Sequence, residues 1–168
     1  MNERAISLEE VGEAVNEMKS GKAPGLDVFP VECLKKGGMA VLEWLVRLLN
    51  LSFDMGVVPM DWHGACIVPL YKGNGDKCEC CNSRTISFLS VVGRLFGRVL
   101  IKRRRAGTEF AIREEQCGFR QGRGCTDQVF AVRQVCERYL ANGKDVLWAF
   151  MDLERAYDTI DRHGMCRC

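Results

Sequence analysis

The six residues Val146–Met151 form an uninterrupted apolar run, and Asp152 follows directly. A run without polar positions is typical of a strand that is buried on both faces. We therefore predict that it is the central strand of a small antiparallel sheet. Helices around Val41–Leu49 and Val129–Leu140, which both carry apolar side chains at helical spacing, are expected to back that sheet.

The remaining elements follow from periodicity, capping residues and turn signals. Ser7-Leu8-Glu9-Glu10 is a capping-box pattern that begins a helix, and Gly21 ends it. Gly73–Asp76 is a turn pattern between two arms of an antiparallel hairpin. The other predicted elements are helices at about Met39–Phe53 and Val91–Arg105, a helix capped by Thr126 or Asp127 that ends at Asn142-Gly143, and the hairpin strands Ala65–Tyr71 and Arg84–Leu89. The pattern predicts one α+β domain, a small antiparallel sheet packed with several helices.

The composition is that of a globular protein, with 47% hydrophobic and 27% charged residues among 168. No apolar run is long enough to span a bilayer and no signal peptide is recognisable, so we expect an intracellular protein without a membrane partner. The ten cysteines are expected to be thiols. Cys78, Cys80 and Cys81 allow a zinc site, but their C-x-C-C spacing is not the usual C-x2-C pattern and favours a solvated loop with free thiols.

Positive charge is concentrated between Arg94 and Arg123, although the net charge of the whole chain is only +2. Nine arginines and lysines stand there against three glutamates, which gives a local charge of +6. Such a stretch suits a phosphate backbone. The alternative is a solvated helix end, because Lys102–Arg105 closes a helical segment, where cations complement the helix dipole.

Asp152 is the main candidate for catalysis. A carboxylate at the end of a buried strand needs neutralisation, which a divalent cation provides. Phosphoryl transfer to a 3′ hydroxyl commonly uses two such cations, and the Asp152 carboxylate and the Leu153 carbonyl could supply two of the oxygen ligands. The alternative is that Asp152 caps the turn that follows.

Five blocks resemble motifs of one protein family, in the family's order. They are Lys22–Asp27 (K-x-P-G-x-D), Ile67–Asp76 (P-L-x-K-G-x-G-D), Asn82–Ser90 (N-Y-R-x-I-S-L-L-S), Gln116–Gln128 (Q-x-G-F-R-x-G-R) and Phe150–Asp158. The last is similar to the first catalytic motif of reverse transcriptases, and the other four resemble those of the LINE-type, or non-LTR, retrotransposon branch. The resemblance implies the fingers and an incomplete palm of a right-hand polymerase, with about 1–145 as fingers and first palm helices and 146–168 as the first catalytic palm strand and its turn.

The resemblance also implies roles for individual residues. Asp152 and the Leu153 carbonyl would hold Mg²⁺, the cofactor of the intact family. The incoming deoxynucleoside triphosphate would meet five residues, and two more would line the nucleic-acid path. The first group is Lys72, Arg84, Arg155, Ala156 and Tyr157, with Tyr157 as the steric gate against a 2′ hydroxyl; the second is Arg120 and Arg123.

The family makes DNA from an RNA template and a DNA primer, in the cytoplasm and nucleus. Ser83 and Thr85 depart from its pattern beside Arg84, where an aromatic residue and a Pro or Gly are usual. The second carboxylate pair of the family has no counterpart here, so we expect the chain to be inactive alone. Two alternatives to a polymerase segment are a non-catalytic nucleic-acid-binding module and a decayed reading frame without a stable fold.

Overall fold

The computed structural model describes residues 4–153 and 159–165. The chain divides into two compact units, Met1–Ile112 and Arg113–Cys168. The architecture is α+β, with several helices and a two-stranded antiparallel sheet, and this coarse prediction is confirmed. The polymerase subdomains predicted on either side of residue 145 are not defined by packing, and that division stays a prediction.

The core of the first unit is built by α1 (Leu8–Glu17), α2 (Val31–Lys36), α3 (Gly38–Met55) and α4 (Val91–Thr108). Each helix buries one apolar stripe, as the periodicity requires. The largest fully buried side chains are Ile6, Val11, Val31, Leu49, Val91, Leu95 and Val99. The predicted helices at 39–53 and 91–105 are therefore confirmed, with ends that shift by at most three residues.

The start of α1 has the predicted capping box. The Ser7 hydroxyl accepts from Glu10 N–H at 3.2 Å, and the Glu10 carboxylate accepts from Ser7 N–H at 2.8 Å. The residue before it is held by α3, because the Asn50 amide accepts from Ile6 N–H at 2.6 Å and donates to the Ile6 carbonyl at 2.9 Å. Both backbone groups of Ile6 are thus satisfied where its side chain enters the core.

The hairpin consists of β1 (Ala65–Tyr71) and β2 (Ser83–Leu89), paired antiparallel from Ala65 opposite Leu89 to Tyr71 opposite Ser83. This confirms the predicted second arm. The connection is held by side chains: the Tyr71 hydroxyl donates to the Gly75 carbonyl at 2.6 Å, and the Asn82 amide donates to the Asp76 carbonyl at 2.9 Å. Most side chains on both faces of the hairpin are exposed.

The second unit contains α5 (Cys125–Ala141). The helix begins earlier than predicted, because Gly124 rather than Thr126 or Asp127 is the N-cap residue. Asp127 lies in the first turn, where its carboxylate accepts from Gly124 N–H at 3.0 Å. The helix ends at Asn142, and Gly143 follows with φ of 62°, the left-handed conformation that favours glycine. A four-residue helical turn, Arg162–Met165, is the last described element.

The central strand predicted at 146–151 is wrong for this chain. Residues 144–153 have no regular secondary structure, and the Leu147, Phe150 and Met151 side chains are 97%, 86% and 95% exposed. A strand needs a neighbouring backbone to satisfy its N–H and C=O groups. Within the described ranges the only strands are β1 and β2, which pair with each other. The helix of residues 41–49 instead packs its apolar side chains Leu45 and Leu49 into the core of the first unit.

No helix in the described part of the chain is long and apolar enough to cross a membrane.

Candidate functional site

The hairpin brings together the two cations predicted to meet a triphosphate. Arg84 lies opposite Leu70 in the strand register, and Lys72 N–H donates to the Asn82 carbonyl at 2.8 Å, which extends the ladder by one pair. Residues two apart on a strand share a face, so Lys72 lies diagonally next to Arg84 on one face of the hairpin. Both residues are exposed. This is the adjacency that a two-point contact with phosphate oxygens requires.

The Lys22–Asp27 block packs where β2 ends and α4 begins. Asp27 accepts from Val91 N–H at 3.1 Å and so caps α4 from 64 residues away. A Cβ on Gly25 would lie 2.5 Å from the Leu89 carbonyl carbon and 2.7 Å from Ser90 N, so only glycine fits there. The sequence analysis identified this block as a family motif but missed its long-range contacts, which no local pattern could reveal.

A groove of about 640 Å³ lies in the first unit between α2, α3 and the start of α4. Its lining is mainly apolar and includes the aromatic side chains of Phe29, Trp44 and Trp62. Its charged lining residues are Asp27, Asp61 and Arg47, which leaves it one net negative charge. This chemistry does not suit a triphosphate, and Lys72 and Arg84 do not line the groove.

Part of the basic stretch is neutralised within the first unit. Arg98 pairs with Glu17 at 3.3 Å, and Lys102 pairs with Glu17 at 2.7 Å and with Glu13 at 3.1 Å. These hydrogen bonds raise the pKa of Lys102 and lower the pKa of Glu17. The cations of α4 therefore join this helix to α1, a use that neither the phosphate-binding nor the solvated-helix interpretation foresaw.

Arg94 lies one helical turn before Arg98 on α4 and has different surroundings. Its Nε and Nη2 atoms are buried and have no hydrogen-bond partner in the described part of the structure. Burying a guanidinium without such bonds costs free energy.

The second unit holds the arginines of residues 118–124, the Gly-Arg segment, differently. The side chain of Arg120 is 10% exposed, and its guanidinium donates to the Arg113 carbonyl at 3.1 Å. The side chain of Arg123 is 39% exposed and pairs with Glu114. Glu114 is therefore shared, since Arg120 also lies 3.8 Å from it.

Phe119 is a feature that the prediction of site residues missed. Its backbone has φ of 59°, which is rare for a residue with a side chain, and its ring is 93% exposed. An aromatic residue within a Gly- and Arg-rich segment is the sequence signal that could have found it.

Asp152 and Leu153 lie at the end of the exposed apolar segment, and both are exposed. No group of three His, Cys, Asp or Glu residues among 4–153 and 159–165 is arranged to hold a metal ion. A carboxylate and a neighbouring carbonyl are nevertheless the hard oxygen ligands that Mg²⁺ takes, together with water and substrate phosphates. The predicted positions Arg155, Ala156 and Tyr157 lie outside the described residues.

The predicted site residues are distributed over both units. Lys72 and Arg84 belong to Met1–Ile112, whereas Asp152, Arg120 and Arg123 belong to Arg113–Cys168. The structure brings the first two together on one hairpin face. Their convergence with Asp152 on a single surface stays a prediction.

The known proteins that are similar to this chain are proteins of transposable elements, although no protein-family model matches the chain. The 115 kDa protein of the type-1 retrotransposable element R1DM of Drosophila melanogaster is 33% identical over 159 residues, 94% of this chain and 15% of that protein. The RNA-directed DNA polymerase from mobile element jockey of the same organism is 26% identical over 163 residues, 96% of this chain and 18% of that protein.

A third relative comes from a vertebrate. The 149 kDa protein of transposon TX1 from Xenopus laevis is 26% identical over 159 residues, 95% of this chain and 12% of that protein. The chain thus spans less than a fifth of the length of each of these curated relatives. The family predicted from the five motifs is confirmed: over nearly its whole length, the chain is homologous to one segment of the RNA-directed DNA polymerase proteins of non-LTR, LINE-type retrotransposons.

Proposed function

We propose that the chain supplies the fingers and the first part of the palm of an RNA-directed DNA polymerase. Such an enzyme adds deoxynucleotides to a DNA primer on an RNA template. The observation that carries the proposal is the similarity to retrotransposon proteins over 93–96% of the chain, far more than any single motif block.

The hairpin face with Lys72 and Arg84 is the proposed contact for the triphosphate. Arg84 offers a planar fork that matches two phosphate oxygens, and Lys72 adds a compact positive charge diagonally across the ladder. Ser83 and Thr85, the neighbours of Arg84 that depart from the family pattern, both belong to β2, and the regular register from Tyr71–Ser83 onward accommodates them. Their side chains therefore leave the strand pairing intact.

Asp152 and the Leu153 carbonyl are the proposed magnesium ligands of this segment. The metal would activate the primer 3′ hydroxyl and neutralise charge on the phosphate. Two oxygens do not complete an octahedral site, so further ligands must come from water, nucleotide and other carboxylates. In the segment that follows, Tyr157 is the proposed steric gate, and Arg155 and Ala156 are the proposed backbone contacts of the triphosphate.

Arg123 and Phe119 are the proposed contacts of the Gly-Arg segment with nucleic acid. Arg123 is partly exposed, so it can exchange Glu114 for a phosphate, and the exposed Phe119 ring offers a face on which a base can stack. Arg120 is placed beside them by its contacts within the unit.

A chimaeric polymerase tests this function. The 159 residues of the R1DM protein that match this chain would be replaced by the chain itself, and template-dependent deoxynucleotide incorporation with Mg²⁺ would be measured. We expect incorporation, and we expect Asp152→Ala to abolish it. The matched control is Asp145→Ala, another exposed carboxylate of the same segment, which should retain activity. A folded chimaera that binds primer and template but is inactive, beside an active parent protein, would contradict the proposal.

A further inference from the structure

Two cysteines border the Gly-Arg segment, and both are free thiols. Cys117 precedes the segment and is partly buried, whereas Cys125 follows it and is exposed as the first residue of α5. A glycine stands beside each cysteine on the side of the segment, Gly118 next to Cys117 and Gly124 next to Cys125. The segment therefore begins and ends at a sulfur atom, with the most adaptable residue type beside each one.

Gln128 holds the Cys117 sulfur on the face of α5 that carries Cys125. The Gln128 side-chain amide donates to the Cys117 sulfur at 2.8 Å and to the Glu115 carbonyl at 2.9 Å. Residues three apart on a helix share a face, with about 5–6 Å between their Cβ atoms, and helical side chains lean toward the helix N-terminus. Because Cys125 lies three residues before Gln128, the Gln128 amide points back over the first turn of α5. The Cys117 sulfur is therefore held close to the Cys125 side chain.

The chain between the two thiols can close into a ring. Seven residues separate Cys117 from Cys125, and a disulfide requires their Cα atoms to lie about 4.4–6.8 Å apart. Rotation of the backbone at Gly118 or Gly124 can bring the Cα atoms to that distance, because a glycine accepts conformations that other residues do not. Neither thiol has to leave the surface of the unit, since one is exposed and the other is partly buried.

We propose that Cys117 and Cys125 form a reversible disulfide that closes the Gly-Arg segment into a ring and weakens its contact with nucleic acid. The oxidant is a small-molecule disulfide of the glutathione class. The exposed Cys125 sulfur attacks it first, which forms a mixed disulfide and releases one thiol. The Cys117 sulfur then attacks the Cys125 sulfur and releases the second thiol. The two cysteines together lose two electrons and two protons, the oxidant gains them, and an excess of reduced thiol reverses both steps.

The effect on nucleic acid rests on the proposed function of Phe119 and Arg123. The Phe119 ring can stack on a base, and Arg123 can exchange Glu114 for a phosphate, if the segment adapts to the bound strand. A disulfide restricts the backbone conformations of the segment that it closes. We therefore expect the ring to lose about one stacking contact, which corresponds to an affinity about tenfold lower.

Disulfide mapping tests the bond independently of any RNA. The full chain would be equilibrated with oxidised and reduced glutathione in ratios from about 1:100 to 10:1, quenched with acid, alkylated and digested with trypsin. Trypsin cleaves after Arg120 and Arg123, so the peptides that carry Cys117 and Cys125 stay together only if a disulfide joins them. We expect the joined peptides in the mass spectrum of the oxidised chain and their loss after dithiothreitol. Their absence at every ratio overturns the proposal.

A shifted thiol separates the geometry of α5 from chance encounters in a flexible loop. Cys125→Ser combined with Thr126→Cys moves the thiol about 100° around the helix, away from the face of Gln128, and lengthens the loop by one residue. We expect at least about a tenfold lower yield of joined peptides at the same glutathione ratio. Cys33→Ser removes an exposed cysteine of the first unit and should leave the yield unchanged. Equal yields for the thiols at 125 and 126 overturn the proposal.

Fluorescent single-stranded RNA measures the consequence of the bond. Under reducing conditions the wild type and the double variant Cys117→Ser, Cys125→Ser should bind RNA equally. Oxidation should weaken binding by the wild type about tenfold and leave the double variant unchanged, which controls for oxidation of the other cysteines. A mapped disulfide with unchanged RNA affinity overturns the proposed effect on nucleic acid. A reduced chain that does not bind RNA contradicts the proposed function of the Gly-Arg segment, whereas the mass spectra alone decide whether the disulfide forms.

Discussion

Glu10 of α1 and Arg103 of α4 form a two-point ion pair across 93 residues of sequence. The Glu10 carboxylate oxygens lie 2.8 Å from Arg103 Nε and 2.8 Å from Arg103 Nη2. The same guanidinium donates to the carbonyls of Arg4 and Ala5 at 2.7 and 2.9 Å, and it lies 5.6 Å from the centre of the Phe53 ring. Arg103 therefore joins the N-terminal segment, α1, α3 and α4.

This pair predicts a pH dependence of stability. The hydrogen bond from Arg103 holds the pKa of Glu10 at about 2, below its ordinary value of 4.5. A carboxyl whose pKa is lowered by folding stabilises the protein above its unfolded pKa, and it loses that contribution as the pH falls through the folded pKa. We expect Glu10→Gln to lower the free energy of unfolding at pH 7 by about 1–2 kcal/mol, a value reduced for partial exposure. The difference from the wild type should vanish between pH 4.5 and pH 2.

Glu9→Gln is the matched control for urea titrations at pH 7, 4 and 2.5. It makes the same charge change on the exposed side of the same helical turn and should be within about 0.5 kcal/mol of the wild type. Equal losses for both variants at pH 7 would show that the Arg103 contact is not what stabilises the fold.

The close packing of Gly25 against the end of β2 predicts that a larger side chain at this position destabilises the fold. Gly25→Ala places a Cβ against the Leu89 and Ser90 backbone, and we expect a loss of about 1–3 kcal/mol in the free energy of unfolding. Gly97→Ala is the opposite control: it lies inside α4 with open space around the new methyl group, so it should gain about 0.5–1 kcal/mol. Thermal unfolding of both variants measures this, and a neutral Gly25→Ala would contradict the close packing.

The two buried nitrogens of Arg94 that have no hydrogen-bond partner in the described part of the structure predict that an apolar substitution there stabilises the protein. Arg94→Met keeps an unbranched side chain and removes two buried nitrogens that lack partners, so we expect a gain of about 1 kcal/mol in urea denaturation. Arg103→Met removes a guanidinium with four donated hydrogen bonds and should lose about 3–5 kcal/mol. Comparable losses for the two variants would mean that Arg94 has a bonding partner after all.

Local signals in the sequence predicted the local elements well. The Ser7–Glu10 capping box, the helices α3 and α4 and the hairpin follow from capping residues, periodicity and turn glycines, and the structure has them. Contacts between distant residues have no such local signal. The Asp27 cap of α4 and the use of Lys102 against Glu17 depend on the tertiary packing, which determines which ends and faces meet.

The errors have physical reasons too. The six-residue helix α2 is shorter than two turns, so periodicity cannot reveal it, and Pro30 before it resembles a loop signal. The apolar run at 146–151 has the composition of a buried strand, but composition does not supply the neighbouring backbone that a strand requires. Of the candidate site, the Lys72–Arg84 adjacency follows from hairpin register, whereas the relation of those residues to Asp152 remains a prediction.

The two arginines of the Gly-Arg segment predict different outcomes when RNA binding is measured against salt concentration. Each phosphate neutralised on single-stranded RNA contributes about 0.7 to the slope of log affinity against log salt. Arg123 is partly exposed, so Arg123→Ala should reduce the slope by about 0.7 and leave any sequence preference unchanged. Arg120 is nearly enclosed and donates to the Arg113 carbonyl, so Arg120→Ala should lower the thermal midpoint.

Arg133→Ala is the control, an exposed arginine of α5 that pairs with Glu137, and it should keep the wild-type slope and midpoint. Fluorescent-RNA titrations from about 50 to 200 mM salt measure the slopes. Equal slopes for the wild type and Arg123→Ala would mean that Arg123 serves only its pairing with Glu114 and does not contact nucleic acid.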